Sequence, residues 1–287
     1  MNPDISQNSD IKVRRPLHGE IYSSDFFQNT LNSLSLIIQT HGYCRLNANW
    51  KSKIEMSSPF NRLYLVKKGD GFLQVGDRRI KLEKNKAYLM PLNTKFTHWC
   101  TANLEKFYFH FLLKPHSVYD VFELYNPSAF VLPADKMLDR LTNSFSANDE
   151  KGIVRFKNHL MMQIAAFIGD KADDYDRKIR AGAKYQKLFE YIGQNLSARL
   201  SVKNSAAVMD FTPQYLSTVF KADLGISLKD YLMERILRKA QELLMNTDEH
   251  IKEIAYQLGF QDQYYFSKFF SRKSGLTPKE YRKNKML

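Results

Sequence analysis

Cysteine is almost missing from this chain of 287 residues: only Cys44 and Cys100 occur, far apart and in no C-x-x-C spacing. That excludes a disulfide framework and a cysteine-built zinc site, and two buried free thiols are the expected state. Long apolar runs are absent as well. Stretches such as 34–38 and 107–113 fall far short of the roughly 20 residues that a membrane-spanning helix needs. The mean hydropathy of −0.45 agrees with a soluble, folded protein. The polar opening, residues 1–10, lacks the charged-then-apolar layout of a signal peptide, so a cytoplasmic protein with no membrane partner is expected. Three chemical signatures are missing too: no G-x-x-x-x-G-K-[ST] phosphate loop, no G-x-S-x-G elbow and no H-x-H pair occur in the sequence. No catalytic residue, cofactor or metal is therefore assigned.

Positive charge and aromatic rings are plentiful. Lys and Arg number 43 against 30 Asp and Glu, for a formal net charge of +13, and 13% of residues are aromatic within a hydrophobic content of 44%. Residues 176–287 hold 20 of the cations against 12 acids, a denser excess than in residues 1–175. An anionic partner follows, although charge alone does not separate nucleic acid from a membrane surface or from ordinary solvated basic faces. The length suits two domains.

The pattern along the chain changes twice. Between about residues 21 and 113, short β-prone runs (63–66, 71–75, 87–90 and 106–113) alternate with turn signals at 68–71 and at Gly76-Asp77, with Pro91 closing a strand; this spacing suggests a sandwich or barrel. From about 118 to 176 helical periods take over. The clearest places Val154, Leu160, Met161, Ile164, Ala165 and Ile168 at three- and four-residue steps, a stripe wide enough to pack on its own domain or on a second copy. The charged stretch 170–180 reads as a linker, and from Lys184 onward the chain reads as helices with short turns.

The last region contains an internal repeat. Val202-x-x-x-Ala206-x-x-Met209-Asp210-Phe211 aligns with Ile251-x-x-x-Ala255-x-x-Leu258-Gly259-Phe260, 49 residues later. After a shift of one residue, the run from Leu216 to Phe220 aligns with that from Phe266 to Phe270, and Gly225 to Tyr231 with Gly275 to Tyr281. Each half parses as helix, tight turn, helix. Thr212-Pro213 and Asp262 are start signals for the second helices, and Gly259 suits a left-handed helix end. Leu216, Val219 and Phe220 then face inward with Phe266, Phe269 and Phe270. The outward faces offer Gln214, Ser217, Thr218 and Lys221, and Gln263, Tyr264, Ser267 and Lys268, side chains able to read base edges or hold phosphates. A helical bundle whose polar residues are merely solvated fits the same pattern.

The residues from Ile251 to Phe260, Asp262 to Phe270 and Gly275 to Arg282 closely resemble the signature of the AraC/XylS transcriptional regulators, and the resemblance covers about residues 184–283. It implies two helix-turn-helix units joined by one long helix, roughly 228–245, that sets two recognition helices into successive major-groove segments. It carries base contacts onto Gln214, Ser217 and Thr218 and onto Gln263, Tyr264, Ser267 and Lys268, and phosphate contacts onto Lys221, Arg272 and Lys273. Three positions depart from the pattern. Ser205 stands where an apolar residue is usual and Asp210 where Gly is common, which predicts looser packing of the first unit; Lys268 replaces a common Arg, which weakens bidentate guanine recognition.

Regulators of this kind often carry an N-terminal cupin-like β-barrel that binds a small effector, followed by dimerising helices. The expected fold class is accordingly α+β: a tail (1–19), a cupin-like barrel (20–115), a helical connector and linker (116–180) and an all-α DNA-binding domain with two helix-turn-helix units (181–287). Expected partners are double-stranded promoter or operator DNA, a second copy, RNA polymerase and an unidentified small molecule. Arg45, Trp50, Tyr64, His98, Trp99 and Tyr108 are candidates for the effector pocket, since aromatic walls with a few polar groups suit organic ligands; each fits ordinary core or surface equally well. The competing reading is a cupin-type metalloenzyme fused to a helical DNA-binding module.

Overall fold

The computed structural model describes residues 11–14, 21–24, 34–52, 55, 57–114, 119–125, 129–133, 140–141, 143–144, 149–169 and 181–283. The N-terminal region is rich in sheet and the C-terminal region is helical, an α+β arrangement. The strands are β1 Ile11–Arg14, β2 Ile21–Ser24, β3 Ser35–Leu46, β4 Asn61–Val75, β5 Arg78–Leu82, β6 Lys86–Met90, β7 Thr97–Lys114 and β8 Phe130–Pro133. β1 pairs with β2, and the others form one sheet in the order β3-β7-β4-β6-β8, with β5 paired to β4.

Gly76 and Asp77 join β4 to β5 as a turn, but residues 68–71 do not form the turn their composition predicts. β4 runs straight through them, and its register against β7 shifts between Val66 and Lys68 and again between Gly69 and Gly71. Gly69 has φ +90, and a Cβ there would stand 1.8 Å from the Asn103 carbonyl oxygen. Glycine therefore serves a bulge that lets two strands approach closely, where it was expected to end a strand.

Period-two alternation makes both faces of the sheet apolar. Leu63, Leu65, Leu89, Phe107, Phe109 and Phe111 pack on one side; Tyr64, Val66, Tyr88, Met90, Leu104 and Tyr108 lie on the other. The first side is covered by α1 (Val121–Tyr125) and α2 (Glu150–Gly169), through Val121, Phe122, Phe156, Leu160 and Ile164. Phe156 meets Phe109 with ring centroids 4.6 Å apart. The buried stripe of α2 is thus rotated from the predicted one: Phe156 joins it at four-residue spacing from Leu160, and Val154 is 57% exposed. The predicted linker at 170–180 lies outside the described residues.

Further helices follow among the described residues: α3 Gln186–Gln194, α4 Val202–Val208, α5 Pro213–Leu224, α6 Leu228–Asn246, α7 Ile251–Gln257, α8 Gln263–Ser274 and α9 Pro278–Lys283. They build two cores, one around Phe189, Phe220 and Tyr231, the other around Phe266, Phe270 and Tyr281. α6 supplies Leu228, Tyr231 and Leu232 to the first and Leu237, Ala240 and Leu244 to the second. Among the described residues no helix is long and apolar enough to cross a membrane.

A third side of α6 meets the sheet region. Arg238 donates two hydrogen bonds to the Glu123 carboxylate of α1, one at 2.6 Å, and Arg235 stands 3.6 Å from the same group. Gln241 donates toward the Ser57 carbonyl at 3.4 Å, and the Tyr281 hydroxyl donates to the same oxygen at 3.4 Å. Burial alone pushes the Glu123 carboxyl up, but Arg238 and Arg235 outweigh it and bring it down to about 2. The stability from this pair is fully present above the ordinary carboxylate value and is lost as pH falls toward 2. Glu123→Gln leaves a buried guanidinium without its counter-charge, so urea unfolding at neutral pH is expected to show a loss of about 3–5 kcal/mol. The loss should shrink in acid, where the wild-type carboxyl is protonated as well.

Candidate nucleic-acid interface and effector cavity

The two halves of the repeat adopt one local geometry. In the first, α4 starts with a capping box between Ser201 and Asn204, and Thr212 caps α5 by accepting from the Tyr215 amide at 3.2 Å, with Pro213 in the first turn. In the second, Asp262 caps α8 by accepting from the Tyr265 amide at 2.8 Å. The turns use left-handed residues at equivalent positions, Asp210 at φ 54 and Gly259 at φ 79. Both second helices end on left-handed glycines, Gly225 and Gly275. Ser205 does not loosen the first unit: it is wholly buried and its hydroxyl donates to the Ser201 carbonyl at 3.1 Å. A satisfied buried hydroxyl costs little.

Residues 212–220 and 262–270 have the same pattern of buried and exposed positions. Leu216, Phe220, Phe266 and Phe270 are wholly buried, and Val219 and Phe269 are half-buried. On the open faces, Gln214, Thr218 and Lys221 of α5 are exposed, as are Gln263, Tyr264, Lys268 and Arg272 of α8; Ser217, Ser267 and Lys273 are partly exposed. Ser217 and Thr218 donate to the carbonyls of Pro213 and Gln214 at 2.8 and 3.0 Å. Their oxygens remain able to accept from a base or a bridging water. Lys221, Arg272 and Lys273 sit in the last turns of their helices, where positive charge also complements the helix dipole.

Tyr215 and Tyr265 were not singled out from the sequence, yet they are 52% and 65% exposed, beside Tyr264 at 72%. Both occupy the repeat position just before the buried wedge residue, and that equivalence was the available signal. A second missed feature ties the units together. The loop between α3 and α4 crosses to the second turn, where the Ala198 amide donates to the Leu258 carbonyl at 2.8 Å and Arg199 Nε to the Gly259 carbonyl at 3.2 Å. Contacts 60 residues apart leave no local trace in sequence.

On the second face of the sheet lies a cavity of about 430 Å³, bounded by β3, β4 and β7 and by Met245 and Asn246 at the end of α6. Of the six candidate effector residues, Trp50, Tyr64 and Tyr108 line it. Arg45, His98 and Trp99 do not. Arg45 follows Cys44 on the opposite face of β3, is exposed and stands over the Tyr43 ring. His98 lies behind Trp50, stacked at 4.3 Å, and burial pushes its imidazole down to about 3. Trp99 points the other way and stacks on Phe72 beneath Arg79. Lys106 and His110, absent from the sequence candidates, do line the cavity; both share the parity of Tyr108 along β7. Among the described residues no three His, Cys, Asp or Glu side chains gather as a metal would require.

Residues 205–284 match the family described as "Helix-turn-helix domain". This region is an AraC-type helix-turn-helix domain. The HTH-type transcriptional regulator YijO of Escherichia coli K12 is 30% identical over 124 residues, 42% of this chain and 44% of that protein. The HTH-type transcriptional activator RhaR of Yersinia pseudotuberculosis is 31% identical over 101 residues, 35% of each chain. The matched stretch therefore covers less than half the length of these relatives. Beyond the AraC-type region the fold itself has solved counterparts: ToxT from Vibrio cholerae O395 superposes with a TM-score of 0.55 at 14% identity, over 89% of this chain and 99% of ToxT.

The two turns of the AraC-type domain respond oppositely to small substitutions. Asp210→Gly removes the cost of a left-handed side chain and is expected to raise stability by roughly 0.5–1 kcal/mol. Gly259→Ala introduces that cost, and its Cβ would fall 2.0 Å from Ser197 Oγ. A loss of about 1–2 kcal/mol is expected. Thermal unfolding of the two variants beside the wild type checks both signs.

Proposed function

We propose that this chain is a sequence-specific DNA-binding transcriptional regulator, held in the cytoplasm and controlled by a small molecule bound in its N-terminal region. The observation that carries the reading is the duplicated recognition face, in which α5 and α8 carry the same burial pattern and present polar side chains at equivalent positions, Gln214 and Tyr264, Ser217 and Ser267, Thr218 and Lys268. Gln214, Ser217 and Thr218 then read one major-groove segment, and Gln263, Tyr264, Ser267 and Lys268 the next. Lys221, Arg272 and Lys273 hold the backbone. Residues 20–115 act as the effector domain, 116–180 as connector and 181–287 as the DNA-binding domain. Dimerisation would use the face of α2 turned away from the sheet, where Val154 and Met162 are 57% and 68% exposed; two copies on adjacent half-sites gain affinity through effective concentration. RNA polymerase is the natural further partner of such a regulator. Control by a small molecule is supported by the aromatic-lined cavity and by the likeness of fold to ToxT, which has been crystallised with an unsaturated fatty acid bound.

Selection of genomic fragments by the purified full chain tests the reading. An enriched common sequence is expected, bound with an affinity that falls steeply with salt; selection of nothing above background sinks the proposal. On an enriched fragment, Lys268→Ala is expected to weaken binding at least several-fold. If Lys268 holds a phosphate, the log-log salt slope also falls by about one. Gln263→Ala is expected to cost about 1–3 kcal/mol and to relax preference at one base position, read by competition with single-base variants.

A further inference from the structure

We propose that the cavity between the sheet and α6 binds a small monocarboxylate with a flat apolar body, its carboxylate paired with Lys106; the inference rests on the effector reading above and names the class of effector. Lys106 is 3% exposed. Its ammonium sits 3.0 Å from the Tyr64 ring centroid and 4.7 Å from that of Trp50. Aromatic faces attract a cation but do not neutralise it. Among the described residues none of the carboxylates pairs with it: its surroundings are the Tyr64 hydroxyl, which supports the charge through a side-chain hydrogen bond, the Cys44 thiol and the neighbouring cation Arg62. Burial, with Arg62 nearby, pushes this ammonium below the ordinary lysine value. The imidazole of His110 lines the same cavity, 7% exposed, and its Nδ1 has no hydrogen-bond partner.

A buried cation costs free energy unless an anion and hydrogen bonds compensate it. Here no carboxylate among the described residues supplies the counter-charge, and Lys106 lines the open volume. The volume of about 430 Å³ falls in the range of small-molecule pockets, roughly 300–1,000 Å³. Its walls are Trp50, Tyr64 and Tyr108, so the remainder of the ligand is flat and apolar. Met245 and Asn246 of α6 complete its lining. The ligand thereby touches the helix that joins the two recognition units, and Asn246 offers a polar contact there.

The experiment uses the full chain without DNA and titrates cinnamate, decanoate and palmitoleate beside cinnamamide and decanamide, by calorimetry and thermal unfolding. At least one acid is expected to bind and raise the melting temperature, with its amide at least about tenfold weaker. Cinnamate is expected to bind more tightly than the alkyl acids, whose chains are not flat; a preference for the alkyl acids overturns the flat-bodied class. Lys106→Met is expected to abolish the preference for acid over amide and to melt no lower than the wild type without ligand, because it removes an uncompensated charge. Met245→Trp, which fills the cavity from α6, is expected to block acid and amide alike. Failure of every acid to bind, equal binding of acid and amide, or a preference that survives Lys106→Met overturns the proposal. None of these readouts involves DNA, so a chain that binds acids and selects no fragment would overturn the regulator reading and leave this one standing.

Discussion

The helix α6 packs against three partners at once, the two helix-turn-helix cores and the sheet region, and the arrangement around it follows from that. Its 19 residues rise about 28 Å along one axis. Tyr231 and Leu232 near its start are buried in the first helix-turn-helix core, and Ala240 and Leu244 near its end in the second. Because both cores close on one rigid rod, α5 and α8 cannot choose their separation independently. The length of the rod is of the same order as the roughly 34 Å between successive turns of B-form DNA. On the remaining side Arg238 and Gln241, both buried, face the sheet region, so the rod also fixes where the N-terminal part sits.

The units at either end are alike in mechanism and unlike in detail. A left-handed residue ends the first helix of each, a side-chain oxygen caps the second, and a glycine terminates it. The first unit does this with an aspartate and therefore carries backbone strain that the second avoids. The second instead receives the strap from Ala198 and Arg199 on its turn carbonyls, which satisfies two acceptors that a glycine turn leaves open. Orientation between the units is thus fixed twice, once through α6 and once across the turn, and a recognition surface built on both tolerates little hinge motion.

Local signals were legible in the sequence wherever the physics was local. The repeat, both caps of the recognition helices, the inward aromatics of α8 and the bounds of α6 to within one residue follow from spacing and side-chain chemistry alone. Signals failed where a distant partner decides the outcome. The 68–71 stretch reads as a turn because it contains two glycines, but the close approach of Asn103 in β7 makes it a bulge. Val154 reads as core because it is apolar and in period, yet the Phe109 ring draws Phe156 inward instead. Ser205 reads as a packing defect, and its hydroxyl finds a carbonyl one turn back. Aromatic residues near strands suggest a cavity, but the parity of each strand decides which side chains face it, and this separates Tyr64 and Tyr108 from Arg45 and Trp99, while Trp50 reaches it from the segment after β3.

The protein buries two kinds of cation beside the same helix and treats them differently. Arg238 on α6, 7% exposed, is answered by Glu123 in the bidentate geometry that suits a guanidinium. Lys106 on β7 is more buried still and, among the described residues, meets ring faces, the Tyr64 hydroxyl and the Cys44 thiol but no carboxylate. A structural cation needs its counter-charge in the chain, because an unpaired one opposes folding. A cation left open toward a cavity is expected where the counter-charge arrives from outside. Arg238 and the cavity residue Asn246 are eight positions apart on α6, a little over two turns. Binding at Lys106 and the ion pair at Glu123 therefore bear on one rigid element, and through its two ends on both recognition helices.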